Sequence, residues 1–359
     1  MICFPNAKIN IGLNIGAEEK SHPDRLHRIN SLFVPIKLRD ILEVIECPDQ
    51  NSKIQITYSG LVTHIENDLC IKAYNLLDKA FNLPKVKVHL HKRIPLGSGL
   101  GGGSSNAVHM IKILNQMFDL NIDNYNARSL CDQLGSDCAF FTYNKVARVS
   151  FFGSNITELG FTRLIDINGV NNINNFPKYK LILVVPKSIY PDFDPNKYNI
   201  STRDVFSIVR DRKKRGQLFN RENQKKDPVE APNRVFIEDF KSNIFNDLED
   251  IVFQLKPRLK DIKNELYKNG AIYASMTGSG SGIYGIFPQN KDLHIPPVSM
   301  YDDFPHYPIN RNDFIWKEDF EYLGYPGDFK IDLEDCDLED YYRQVGVKSE
   351  ECFWNDYKF

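Results

Sequence analysis

The sequence predicts an α+β chain folded as two domains, and three observations carry that reading. Its 359 residues exceed one average domain, taking about 150 residues as a soft unit. Runs in which apolar and polar residues alternate, as in half-buried strands, recur between segments with apolar residues every three or four positions, as in helices. A polar stretch, "NGVNNINNFPKYK", interrupts this pattern before a fresh apolar run, "LILVVP". The boundary is therefore set near residue 152. That gives an N-terminal domain over 1–152, a C-terminal domain over 153–323 and a tail over 324–359.

In chain order, "AKINIGLNI" alternates and reads as the first strand. "INSLFVPIKLRDILEVIEC" supplies one or two more, and "KIQITYSG" another. From Asp68 to Phe81 the spacing predicts a helix with Leu69, Ala73, Leu76 and Leu77 on one face, stopped by Pro84. "KVKVHLHK" alternates strictly, with Val86, Val88 and Leu90 on one face and Lys87, His89 and His91 on the other. The two histidines thus read as solvent-facing strand residues rather than metal ligands. Ala107, Val108, Ile111, Leu114, Met117 and Phe118 keep helical spacing directly after a glycine-rich segment. "NARSLCDQLG" predicts a further helix, and "SDCAFFTYNKVARVSFF" a loop running into a strand. In the second half, "LILVVP" is a buried strand and "DIVFQLKPRLKDIKNELYKNG" an amphipathic helix closed by Gly270. "AIYASMTGSGSGIYGIF" is a hairpin with small residues at its tip. No internal repeat is present.

Composition excludes several classes. With 45 basic and 47 acidic side chains the net charge is −2, so no whole-chain attraction to nucleic acid or anionic membrane exists. No apolar run approaches the roughly 18 residues of a spanning helix. "MICFPNAKINIGLNI" lacks the basic head and apolar core of a secretion signal. The seven cysteines (3, 47, 70, 131, 138, 336, 352) form an odd set without a CxxC pair. They predict free thiols in a reducing compartment, the cytoplasm. Residues 210–226 carry eight basic and two acidic side chains and predict a solvated loop. Beyond Gly324, ten acidic and four basic residues are mixed with Tyr, Phe and Trp, which suggests docking rather than pure disorder.

The segment "RIPLGSGLGGGSSNAV" places five glycines within residues 97–103, between a predicted strand and a predicted helix. Glycine is costly to order, so bare backbone must serve a purpose there. It lets the main chain approach a ligand and aim several N–H groups at it, and the helix N-terminus adds partial positive charge. Ser104 and Ser105 can cap the helix or offer hydroxyls to a phosphate or its Mg²⁺. The Walker pattern is absent, because no lysine lies in or just after the loop. Gly97, Gly99 and Gly102 match GxGxxG, but a dinucleotide fold needs a second strand ending in an acid about 20 residues on. Here Asp119 and Asp123 fall between two helices.

"PLGSGLGGGSSNAV" resembles the phosphate loop of the GHMP kinases, the group of galactokinase, homoserine kinase and mevalonate kinase. "AKINIGLNI" and "SMTGSGSGIYGIF" resemble the first and third motifs of that family, in order, and the resemblance spans roughly residues 3–320. It implies an N-terminal domain like ribosomal protein S5 domain 2 and a ferredoxin-like C-terminal α/β sandwich. It also implies ATP as phosphoryl donor, Mg²⁺, and a small alcohol as acceptor. "AKIN", "KRIPLGSGLGGGSSNA", "GSDCAFF" and "SLFVPIKLRDILEV" look most like members phosphorylating the 2-hydroxyl of a cytidine diphosphate-linked polyol for non-mevalonate isoprenoid synthesis. A GHMP kinase acting on another small alcohol, and a non-enzymatic S5-like nucleic-acid binder, are the alternatives. The second would have no use for the family's lysine and aspartate. Neither a nucleic-acid nor a membrane partner is expected, and the chain is expected to be a monomer or homodimer.

Carried over residue by residue, the resemblance makes Asp137 in "GSDCAFF" the catalytic base and Lys8 its charged partner. Nucleotide contacts fall to Pro95, Gly97, Ser98, Gly99, Leu100, Gly101, Gly102, Gly103, Ser104 and Ser105, with Lys92 before the loop and Asn67 on the adenine side. Ser105 is the expected metal ligand. Asn10, Arg25, His27, Phe206, Gly278, Ser279 and Gly280 are expected around the acceptor. Two departures stand out. "DRLH" puts Leu26 where the family has a stacking aromatic, a role Arg25 would have to fill. "NDLCIKA" puts Asp68 where the family has asparagine.

Overall fold

The computed structural model describes residues 1–18, 27–62, 64–158, 179–186, 202–214, 240–288 and 314–320. Among these, three four-stranded sheets form. Strands β1 (Ile2–Cys3), β4 (Ile41–Glu46), β6 (Val86–Lys92) and β5 (Ile54–Gly60) make the first, in that order. β2 (Asn6–Glu18), β3 (His27–Arg39), β7 (Ala147–Phe151) and β8 (Asn155–Glu158) make the second. β10 (Tyr273–Met276), β11 (Ile283–Pro288), β9 (Tyr179–Val185) and β12 (Phe314–Phe320) make the third, every pair antiparallel. Numbered within that domain, the order is 2-3-1-4, the ferredoxin-like arrangement.

The helices are α1 (Leu69–Phe81), α2 (Gly102–Met117), α3 (Asn124–Asp132), α4 (Cys138–Tyr143), α5 (Thr202–Lys214), α6 (Phe240–Asn243), α7 (Glu249–Leu255) and α8 (Pro257–Lys268). α1 joins β5 to its parallel neighbour β6, and with α2 it covers the first sheet. Asp68 caps α1, its carboxylate accepting from the Cys70 N–H at 2.6 Å. The face α1 buries is Cys70, Ala73, Tyr74 and Leu77, one position round from the predicted one, with Leu69 and Leu76 only half-buried.

Strict alternation along β2 positions the site. Ala7, Ile9 and Ile11 turn to one face, where with Leu32 and Val34 of β3 they meet Leu181, Leu183 and Tyr284 of the C-terminal sheet. Lys8 and Asn10 turn to the opposite face, each 2% exposed. Burying each aliphatic side chain stabilises by about 1.5–3 kcal/mol. A one-residue slip would exchange the two faces, so the register is firmly set. Beyond Gly12 the same strand is gripped by the C-terminal half: Leu13 N–H donates to Phe245 O at 2.9 Å and Ile15 N–H to the Asp247 carboxylate at 2.8 Å.

Several expectations are corrected. The turn after residue 151 lies inside the β7–β8 hairpin, with Ala147 paired to Glu158, so the sheet built on β2 and β3 continues past residue 152. Residues 138–143 form a helix rather than a loop, because Cys138, Ala139, Phe140 and Phe141 bury together against Phe33. The helix predicted over "DIVFQLKPRLKDIKNELYKNG" breaks at Pro257, which has no N–H to continue α7 and instead starts α8. His91 is buried rather than solvent-facing, since β5 lies alongside and Ser59 Oγ sits 2.8 Å from both His89 Nε2 and His91 Nδ1. Residues 210–214 close α5 rather than joining a loop. Residues 215–226 and the tail over 324–359 lie outside the described residues. The five described cysteines are free, four of them buried.

Candidate active site

The glycine-rich loop is laid backbone to backbone against the β10–β11 hairpin tip. Ser281 N–H donates to Gly97 O at 3.1 Å and Gly282 N–H to Ser98 O at 3.0 Å. Gly99 has φ of 75°, and a Cβ there would run into the Thr277 carbonyl. Gly101, at φ 71°, is the N-cap of α2, and no side chain caps that helix. The first N–H drawn back into the helix is that of Ser105, donating to Gly101 O at 2.9 Å. The amides of Gly102, Gly103 and Ser104 precede it, and Gly103 is exposed. An uncapped helix N-terminus behind a stripped backbone is an anion site.

Lys8 lies directly beneath this loop. Its N–H donates to Leu100 O at 3.0 Å, and a Cβ on Gly101 would stand 3.1 Å from Lys8 Cε. The Lys8 Nζ is 3.3 Å from Asp137 Oδ2, donates to Asn10 Oδ1 at 2.5 Å and lies 4.5 Å over the Phe33 ring. Burial pushes the Lys8 pKa below its ordinary 10.5, and the Asp137 charge pulls it back up. The lysine side chain is 3% exposed and the aspartate 29%. A carboxylate so placed can take a proton from an incoming hydroxyl beside a fixed positive charge.

Asn10 is held on three sides. Its Nδ2 donates to Ser31 Oγ at 3.0 Å, its N–H to Thr277 Oγ1 at 3.1 Å, and Thr277 Oγ1 donates to its Oδ1 at 3.3 Å. Ser31, Phe33 and Thr277 were missed by sequence reasoning. A serine inside the apolar "INSLFVPI", and a threonine opening the Gly/Ser tip, were the available signals.

On the acceptor side, His27 and Phe206 stack, ring centroids 5.7 Å apart and 23° between planes. They come from the start of β3 and from α5, far apart in the chain. Thr202 and Ser279 hydroxyls meet at 2.8 Å, tying the first turn of α5 to the hairpin tip, while Asn246 Nδ2 donates to Gly278 O at 2.8 Å. Gly278 and Gly280 both have positive φ. Arg25 lies outside the described residues.

Three nucleotide-side expectations change. Lys92 is 1% exposed, its ammonium held by Asp40 and donating to Asn106 Oδ1 at 3.0 Å, so its charge is buried and paired within the protein. Ser105 is fully buried, because one residue of helix turns it about 100° inward. Of the two serines, Ser104 is the half-buried one. Ser98 and Leu100 are buried too, Ser98 Oγ donating to Pro95 O at 2.6 Å, so only their main chain is available to a ligand. Asn67 is exposed at φ 54°, just before the capping Asp68, and the cap accounts for aspartate at that position.

The profile described as GHMP kinases N terminal domain matches residues 68–145, and that described as GHMP kinases C terminal matches 235–294. A protein of Bacteroides fragilis named 4-diphosphocytidyl-2-C-methyl-D-erythritol kinase is 37% identical over 294 residues, covering 81% of this chain and 94% of that one. The chain belongs to the GHMP kinases. A Bacteroides thetaiotaomicron protein of the same name is 35% identical to this GHMP kinase over 289 residues, covering 80% and 92%. A crystal structure of 4-(cytidine 5'-diphospho)-2C-methyl-D-erythritol kinase shares its fold at a TM-score of 0.59 and 24% identity, covering 89% and 98%. The crystal structure of L. major mevalonate kinase in complex with R-mevalonate shares the fold at a TM-score of 0.60 and 14% identity, covering 88% and 94%. Among the described residues of this kinase, no helix is long and apolar enough to cross a membrane.

Proposed function

We propose that the protein transfers the γ-phosphoryl group of ATP to the 2-hydroxyl of 4-diphosphocytidyl-2-C-methyl-D-erythritol. The observation that carries the reading is the Lys8–Asp137 pair at 3.3 Å, the aspartate open to solvent, beside the uncapped start of α2. Phosphoryl transfer passes through a loose transition state, so the protein chiefly positions groups and stabilises spreading charge. The amides of residues 101–104 and the α2 N-terminus hold the triphosphate. Asp137 accepts the proton of the acceptor hydroxyl as its oxygen bonds to phosphorus and the bond to ADP breaks. Lys8 sets the position of Asp137, and Asn10 orients Lys8. His27 and Phe206 bind the cytosine end.

Mg²⁺ would neutralise the phosphate oxygens, and its protein ligand here would be the half-buried Ser104 rather than the fully buried Ser105. The proposed setting is the cytoplasm. The test is purified protein with ATP, Mg²⁺ and a panel of alcohols that includes the cytidyl compound, followed by phosphorus NMR. A new phosphomonoester on the cytidyl compound supports the reading. Turnover confined to another alcohol overturns the substrate, and none at all overturns the kinase.

A further inference from the structure

Asp40 takes no part in the chemistry above, yet it is fully buried and every acceptor position on it is used. Its Oδ1 accepts the N–H of Arg93 and of Ile94, both at 2.8 Å. Its Oδ2 accepts from Lys92 Nζ and from Asn106 Nδ2, the latter at 2.9 Å. Lys92 closes the triangle by donating to Asn106 Oδ1. Residues 92–94 are the backbone leading into the glycine-rich loop, and Asn106 stands one turn into the helix that leaves it. A Cβ on Gly102 would lie 2.8 Å from Ile94 Cγ2 and 3.2 Å from Lys92 Nζ, so the first turn of α2 rests on this cluster.

We infer that Asp40 is the positioning residue of the phosphate loop: one buried carboxylate pins both ends of the seven-residue arc 95–101, with Lys92 and Asn106 as its braces. The physical need is specific. Glycines make the loop permissive, and amides that must face a triphosphate cannot be free to rearrange when it arrives. Pinning both ends removes that freedom without placing a side chain beside the phosphates. It also assigns Lys92 a role in which its charge is spent on Asp40 and not on nucleotide.

The inference rests on the loop being the triphosphate site, so the experiment separates the two. A non-hydrolysable ATP analogue with Mg²⁺ is titrated into wild type, Asp40→Asn and Asn106→Ala, and KM is measured for ATP and for the alcohol. Both variants are expected to raise KM for ATP by about tenfold or more while KM for the alcohol stays within about twofold. Without nucleotide, amides 97–104 are expected to exchange deuterium faster than in wild type. Asp40→Ala, which also loses the acceptor for Arg93 and Ile94, falls below Asp40→Asn. Variants that melt earlier but bind the analogue as tightly as wild type reduce the cluster to packing and overturn the inference. Asn106→Ala keeps the Asp40–Lys92 pair and decides the matter if Asp40→Asn does not fold. Wild type that binds no analogue defeats the triphosphate reading itself.

Discussion

Two clusters in the N-terminal domain have the same composition: Lys8, Asp137 and Asn10 in one, Lys92, Asp40 and Asn106 in the other. Both lysines are buried, and each donates to its asparagine. The aspartates differ. Asp137 is 29% exposed, while Asp40 is fully enclosed and accepts from four donors. A carboxylate saturated with donors has no lone pair for a substrate proton, and one enclosed in protein has no substrate to meet. The same three residue types therefore suit the proposed reactive centre where one side is open and the proposed brace where none is. Composition does not distinguish catalysis from support; access does.

The largest effect that would sharpen this contrast is on Asp137. Replacing it with asparagine is expected to lower kcat by about 10³-fold, within the range for a general base, and to leave ATP-analogue affinity unchanged. Retention of turnover within tenfold of wild type would break the assignment. Lys8→Met comes next, with a loss of about 10²-fold in kcat, as for one preorganised charge removed from the site. A pure KM effect there would move Lys8 to the supporting class.

Phe206→Ala is smaller. Losing one stacking face costs about 1–3 kcal/mol, which reads as a raised KM for the cytidyl acceptor at constant KM for ATP. Equal rises in both would show that Phe206 merely packs α5.

The subtlest test is pH. Burial lowers the folded-state pKa of Lys8 below 10.5, so in the window between the lowered value and 10.5 the unfolded chain holds a proton the folded one has lost. Rising pH across that window therefore favours folding through this group, because the unfolded state binds more protons. Activity moves the opposite way, since the ammonium is being lost. The expected result is an alkaline fall in kcat, below pH 10.5, that Lys8→Arg abolishes, measured beside melting temperature in the same buffers. A fall that persists in Lys8→Arg belongs to another group.

Legibility in the sequence followed locality. The strands carrying Lys8 and Asn10 were readable because alternation is a local consequence of the pleat. The loop was readable because five glycines in seven positions have few other uses. Asp137 and Lys8 were identified through motifs, and their 3.3 Å approach needed the fold. Ser31 and Thr277 were missed because their part depends on Asn10, and Thr277 reaches it across 267 residues of chain. Ser105 is buried for a geometric reason: a motif names neighbours, while a helix turns successive residues about 100° apart.

By itself, then, the sequence determined where bare backbone meets a helix start, which strand faces are apolar, and which motif residues carry charge. Those are properties of neighbouring residues and of pleat and helix periods. Only the tertiary structure decided which of two identical residue sets is open to solvent, because exposure is set by elements far away in the chain. It also decided that His27 and Phe206 share a stack and that the loop is braced from below. Such pairings depend on how sheets and helices are layered, and no local pattern encodes that layering.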